Sequence, residues 1–295
     1  MKNHLIITTL IFVFVQLSCN NSKTYDKENI NNTTAKQINL FDSIDNNTYI
    51  GFVNKYYFQK TDEFYIELYS NGNNLNFEKV SELADSVIYK DDENTRSRIP
   101  LNIASKGFDF RGIEELTLLD EKHNVLTKAH FVRVEFLEGN IFSYFTAVYK
   151  TQNSKLLDKA VYCIGNLKEK LTKATYIEFE DSLLTYEIAN KLNLTHTHTL
   201  EGKHYINRIK NDTISVINLD NSVQIIEKLN SRYKCIYESK VSEQILKLTF
   251  IPITRNSKPI LLTESMEPET DNGWNSVLVY DGTKYIETDK QRIKN

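Results

Sequence analysis

Short runs of β-branched and aromatic residues recur along the second half of the chain. Residue pairs that favour turns separate the runs: Glu201-Gly202, Asn211-Asp212, Asp220-Asn221 and Asp281-Gly282. The runs lie about ten residues apart, a spacing typical of all-β sandwiches, barrels and sheet stacks. They cover residues 160–164, 175–179, 183–188, 193–200, 204–209, 214–219, 233–237, 245–251, 260–263 and 277–280.

The first half contains similar runs at 49–53, 64–69, 116–119, 131–137 and 141–149. Within 131–137, Val132, Val134 and Phe136 alternate with the other residues, which indicates a half-buried strand. Gly139 and Asn140 supply the positive φ angles of a hairpin turn. The sequence therefore predicts a mainly-β fold of two antiparallel β-rich domains, sandwich-like or barrel-like.

One segment has helical spacing. Apolar residues recur three and four positions apart over 77–88, and Asn76 could cap that segment, so we expect one amphipathic helix there. A polar stretch at 151–154 favours a joint, which gives a β-rich domain with one helix at 40–152 and an all-β domain at 153–290. Residues 19–39 are rich in Asn, Ser, Thr and Lys and predict a flexible tether.

Composition excludes several classes of protein. The formal net charge of -3 provides no positive field, so we expect no nucleic-acid partner. Only 9 glycines are present, which leaves little material for Gly-rich phosphate-binding loops. The 3 cysteines are too few for a disulfide scaffold or a four-cysteine zinc site.

The N-terminus has the features of a secretory signal. Lys2 provides a positive start, residues 5–15 are largely apolar, and Ser18-Cys19 precedes a polar stretch. An apolar run of this length is shorter than the roughly 20 residues that span a bilayer. We expect residues 1–18 to be a signal peptide.

At Ser18-Cys19 the segment resembles the signal of bacterial lipoproteins, although Gln16 and Leu17 depart from the usual pattern. The resemblance covers residues 1–19 and implies that Cys19 becomes the first mature residue and carries acyl chains. Asn20 after the cysteine, rather than Asp, implies a cell-envelope protein anchored in the outer membrane, facing either the periplasm or the surface. The alternative is an ordinary secreted protein in which Cys19 has no such role.

Three histidines form the sharpest candidate metal site. His196 and His198 would share one face of a strand, and a turn at Glu201-Gly202 would return His204 beside them. Three imidazoles on one hairpin could hold zinc or copper. A solvent-facing strand of Thr and His is the alternative, and we expect no cofactor.

A second candidate lies near the C-terminus. Glu267, Glu269 and Asp271 alternate as in calcium loops, but Asn272 occupies the position that such loops give to Gly. A solvated acidic loop is the alternative. Trp274 follows, and we expect it to be buried as an anchor for this loop rather than exposed as a binding group.

An exported chain could carry two kinds of covalent modification, a disulfide and O-linked glycans. Cys163 and Cys235 could form a disulfide in an oxidising compartment, or could be small buried apolar residues. Asp followed by Ser or Thr and an aliphatic residue resembles the acceptor motif of an O-glycosylation system of some Gram-negative bacteria. The alternative is ordinary turn chemistry. The implied acceptors are Ser43, Ser86, Ser182 and Thr213.

Together these features favour a non-enzymatic exported lipoprotein, either a binding module or a subunit of an envelope assembly. Its partners would be the membrane, through the lipid anchor, and a protein or a glycan. The sequence contains neither G-x-S-x-G nor H-E-x-x-H. The rival hypothesis is an envelope hydrolase, metal-assisted through the three histidines or carboxylate-based through the acidic residues near Glu267.

Overall fold

The computed structural model describes residues 47–55, 62–68, 84–90, 94–139, 143–168, 171, 176–196, 198–207, 210, 212–239, 242–269, 273–288 and 292–294. These residues form nineteen strands and three helices, and the strands pair in three antiparallel sheets. The prediction of a mainly-β antiparallel fold is confirmed. The fold is sandwich-like, because the sheets pack face to face.

The first sheet contains ten strands. They are β1 (Asn47–Phe52), β2 (Asn54–Lys55), β3 (Glu63–Leu68), β4 (Ser86–Lys90), β5 (Asn94–Ile99), β6 (Glu115–Leu119), β7 (Val125–Gly139), β8 (Ser143–Thr151), β9 (Tyr162–Gly165) and β19 (Arg292–Lys294). Their main order is β19-β1-β9-β6-β7-β8-β3-β2, and β5 pairs with both β4 and the second half of β7. The long β7 therefore connects two parts of the sheet.

One face of the first sheet carries its own apolar core. Alternate residues of β3, Phe64 and Ile66, pack there with Phe145 and Tyr149 of β8. The Tyr149 hydroxyl donates to the backbone oxygen of Ile113 at 2.6 Å. Two short helices, α1 (Leu101–Ala104) and α2 (Ser154–Leu157), add Ala104 and Leu157 to this core.

The second sheet is a five-stranded meander. Its strands are β10 (Tyr176–Phe179), β11 (Leu200–Asn207), β12 (Asp212–Leu219), β13 (Ser222–Leu229) and β14 (Arg232–Glu238). Helix α3 (Ser182–Leu192) packs on one face of this sheet, where Leu184, Ile188 and Leu192 contact the apolar side chains of β12 and β13.

The third sheet lies between the other two. Its strands are β15 (Gln244–Arg255), β16 (Lys258–Met266), β17 (Gly273–Tyr280) and β18 (Tyr285–Glu287). On β16, Ile260 and Leu262 pack against Ile50 and Phe52 of the first sheet. The intervening Leu261 packs toward the second sheet, against the cluster that contains Ile225 and Tyr205. Both faces of the third sheet are therefore buried.

The helix predicted over 77–88 is wrong at its C-terminal end, because Ser86–Lys90 is strand β4. Residues 77–83 lie outside the described residues. The longest described helix is instead α3, at a position where the sequence predicted a strand over 183–188. Asp181 caps this helix by accepting from the Leu184 amide at 3.0 Å, and Asn193 ends it in the left-handed conformation.

Domain boundaries are not decided by the strand pairing. The division into 40–152 and 153–290 stays a prediction, and β9 and β19 join the first sheet from beyond residue 153.

Among the described residues, no helix has the length and apolar character that crossing a membrane requires.

Candidate functional site

An open groove lies between the first and third sheets. Its volume is about 1080 Å³, and its walls come from β1–β3 and β8 on one side and from β15–β17 on the other. Pockets for small ligands usually measure about 300–1,000 Å³. The groove is therefore large enough for an extended ligand.

The first-sheet wall is built by strand alternation. In β3, Phe64 and Ile66 face the core, so Tyr65 and Glu67 face the groove. Tyr144 of β8 joins them, and its ring centroid lies 6.5 Å from that of Tyr65. Burial raises the pKa of Tyr144, so its hydroxyl keeps its proton at neutral pH.

An ion network lies on the same face as these two tyrosines. Glu135 is only 1% exposed and accepts from Arg96 at 2.7 Å and from Arg133 at 2.7 Å. Arg133 also donates to Glu63 at 2.7 Å, and Glu63 shares its face of β3 with Tyr65. Charge-assisted bonds of this kind fix side chains firmly, so the network makes this wall rigid.

The third-sheet wall is formed by the ends of β16 and β17. Glu264 pairs in register with Asn275, and Ser265 pairs with Trp274. All four line the groove. Trp274 is the only tryptophan in the chain and is half-buried rather than fully buried. Because it pairs with the buried Ser265, its ring lies on the face of the third sheet opposite to Glu264 and Asn275, at the end of β17 that borders the groove.

Two lysines complete the lining. The ammonium of Lys247, on β15, lies 5.2 Å from the ring centroid of Phe52, so a cation–π contact joins the two walls. Lys55 lines the same groove and donates to the backbone oxygen of Asp158 at 2.8 Å. With Glu67 and Glu264, the described lining contains two positive and two negative side chains, whose formal charges cancel.

Side chains cap the edge of the third sheet beside the groove. Asn218 accepts from the Ile245 amide at 3.0 Å and donates to the Ile245 oxygen at 3.1 Å. Lys203 donates to the backbone oxygen of Leu246 at 2.8 Å. Because these backbone groups of β15 already have partners, this edge does not offer them to an added strand.

The structure does not bring the three predicted histidine ligands together. His196 and His198 are exposed in the connection after α3, whereas His204 in β11 is 0% exposed. The described residues of 193–199 form no strand: α3 ends at Leu192, Asn193 is its C-cap, and β11 begins at Leu200. Glu201 and Gly202 lie within β11 and form no turn that would return His204 beside the other two histidines. Within the described ranges, no group of three or more His, Cys, Asp or Glu side chains could hold a metal ion.

His204 instead fastens α3 to the second sheet. Its Nδ1 lies 2.8 Å from Ser215 Oγ, and its Nε2 lies 3.0 Å from Thr185 Oγ1 and 3.1 Å from the backbone oxygen of Asp181. A carbonyl oxygen only accepts, so Nε2 carries the proton in the neutral ring. Burial lowers the pKa of His204, while the Asp181 carbonyl and carboxylate oppose this shift.

The acidic loop is described only in part. Glu267 is half-buried, and Glu269 is exposed with a positive φ of 64°. Asp271 lies outside the described residues, so the calcium loop stays a prediction.

Cys163 and Cys235 are free thiols, so the disulfide that they could form is absent. Cys163 is buried in the first sheet, where its Sγ donates to the Gly51 oxygen at 3.4 Å. Cys235 is exposed on β14 of the second sheet. Burial raises the pKa of the Cys163 thiol, which favours the protonated, unreactive form.

The predicted modification sites differ in exposure. Ser86 on β4 and Ser182 at the start of α3 are exposed, and Thr213 on β12 is half-buried. Ser43 and Cys19 lie outside the described residues. Glycosylation and acylation both stay predictions.

The sequence drew attention to Trp274 but did not indicate that Glu67 and Tyr144 belong to a site. In the sequence, Tyr65 and Glu67 alternate with apolar residues. This alternation indicates a strand, but it does not show which part of the protein the polar face of that strand contacts.

Comparison of the chain with protein-family models, curated proteins and solved structures found no match.

We expect His204 to make folding stability depend on pH. Because the folded state holds its pKa below the unfolded value of about 6.5, the unfolded chain binds more protons as the pH falls. Stability contributed by neutral His204 is therefore full above about pH 6.5 and declines below it. Urea unfolding from about pH 7.5 to about pH 5 should show a smaller loss for His204→Gln than for the native chain.

His198→Gln is the matched control, because that side chain is exposed. It should keep the native pH dependence. Equal pH dependence of stability in the His204→Gln variant and the native chain would contradict the proposed contribution of His204. His123, whose pKa burial also lowers, is present in all three proteins and cancels from the comparison.

Proposed function

We propose that the chain is an exported lipoprotein that binds an envelope ligand in the groove between its first and third sheets. Cys19 would carry the acyl chains, and residues 20–39 would tether the folded body to the membrane. A single acyl chain binds membranes only marginally, whereas two give stable anchoring. The anchor thus holds the groove close to the envelope.

The observation that carries the binding role is the composition of the groove. Its described walls present aromatic rings, amides, carboxylates and ammonium groups from strands of two packed sheets. Rigid elements hold binding groups more accurately than loops do. Fixed polar groups around an apolar floor, here Phe52 and Ala160, are the usual form of a ligand site.

A carboxylate-based hydrolase is the second candidate. Glu67 and Glu264 come from opposite walls of the same groove, and glycoside hydrolysis generally needs a pair of carboxyl groups that flank the bond. The two functions differ in one measurement, because an enzyme would convert a bound ligand into products and a binding protein would release it unchanged. Single Glu67→Gln and Glu264→Gln variants would abolish turnover in the first case.

The anchor is tested by Cys19→Ser. The native chain should fractionate with membranes and have an intact mass raised by acyl chains. The variant has no thiol to acylate and should lack that added mass. A native chain without added mass, or a native chain absent from the membrane fraction, would contradict the anchor.

The groove is tested by photo-cross-linking in the producing cell. A benzophenone amino acid in place of Ser143, which is exposed at the groove rim, should give a discrete adduct on irradiation. The same amino acid in place of Leu183, which is 80% exposed on α3, is the control and should not give that adduct. Identical adducts at both positions, or none at Ser143, would contradict binding in the groove.

A further inference from the structure

We infer that the ligand of the groove is a neutral oligosaccharide chain. This inference rests on the proposed binding function and adds the chemical class of the ligand. Three properties of the groove carry it: its aromatic and amide lining, its balanced charge, and the capped edge of β15.

The lining matches the two-sided chemistry of a sugar ring. A pyranose presents an apolar C–H face and a rim of hydroxyl groups, so it pairs with aromatic rings and with planar hydrogen-bonding groups. Tyr65 and Tyr144 provide neighbouring rings on one wall of the groove. Asn54 and Asn275 line the same space and can both donate to and accept from hydroxyl groups.

The charge balance favours a neutral ligand. Lys55 and Lys247 oppose Glu67 and Glu264, so the described lining has no excess of either sign. Polyphosphates and anionic headgroups are recognised by clusters of positive side chains, and basic peptides by clusters of negative ones. Hydroxyl groups accept hydrogen bonds from the lysines and donate them to the carboxylates, and so use all four side chains.

The capped part of the β15 edge, at Ile245 and Leu246, disfavours the addition of an extended peptide there. Peptides that bind beside a sheet commonly add a strand to an open edge through backbone hydrogen bonds. At Ile245 and Leu246 the side chains of Asn218 and Lys203 already occupy those groups. A saccharide does not need these backbone groups, because its hydroxyl groups can form hydrogen bonds with side chains.

The size of the groove predicts that chain length matters. Its volume of about 1080 Å³ and its two walls suit several linked sugar units rather than one. A disaccharide cannot contact Tyr144 and the opposite wall as fully as a longer chain does. We expect a hexasaccharide to bind at least about tenfold more tightly than the disaccharide of the same series, a difference of about 1.4 kcal/mol.

The test is a calorimetric titration, because the heat of binding does not depend on which face of the sheet Trp274 occupies. The full-length Cys19→Ser chain is titrated with three neutral hexasaccharides: a β-1,4-glucan, an α-1,4-glucan and a β-1,4-linked N-acetylglucosamine chain. At least one should bind saturably. Tyr144→Ala and Glu67→Gln should weaken that binding at least about tenfold. Tyr186→Ala, an exposed aromatic on α3, should leave it unchanged.

The outcomes separate the two proposals. If none of the three saccharides binds while the Ser143 adduct forms, the saccharide assignment is overturned and the binding function stands. Saturable binding of a hexapeptide library in place of the saccharides would also overturn the assignment. If neither the adduct nor saccharide binding is seen, both proposals fail. Saccharide binding that is unchanged in Tyr144→Ala and Glu67→Gln overturns the placement of the saccharide in this groove.

Discussion

The rest of the fold depends on the burial of the third sheet on both faces. At its centre, Ile260, Leu261 and Leu262 of β16 are each 0% exposed. Their side chains alternate between the core shared with the first sheet and the core shared with the second. Full burial of each such side chain contributes about 1.5–3 kcal/mol, so three consecutive residues hold three layers together.

The groove is a continuation of this packed interface. On β16, Ile260 and Leu262 face the first sheet, and Glu264 and Met266 follow on the same face at a period of two. The apolar contact therefore ends where the side chains become polar, and the two sheets leave an open space there. The ion network around Glu135 holds the first-sheet wall in place. The site is thus built from the ends of strands whose other residues form the core.

Most strands could be predicted from the sequence, because the features that indicate a strand lie within a few consecutive residues. Runs such as 214–219 and 260–263 combine β-branched residues with nearby turn pairs, and both lie in strands. Helix α3 was missed because its evidence lies in Asp181 as a cap and in the four-residue spacing of Leu184, Ile188 and Leu192, inside a short apolar run. The groove could not be predicted, because Glu67, Tyr144, Lys247 and Trp274 come from four strands that only tertiary packing brings together.

The most direct test of the account is amide hydrogen–deuterium exchange of the full-length Cys19→Ser chain, alone and with solubilised envelope material. Because β16 is the central strand of the stack, its amides should exchange among the slowest of the chain. Added ligand should further protect peptides over 63–68, 143–149 and 264–275, and should leave α3 unchanged. Fast exchange in β16, or protection of α3 without protection of the groove strands, would contradict the account.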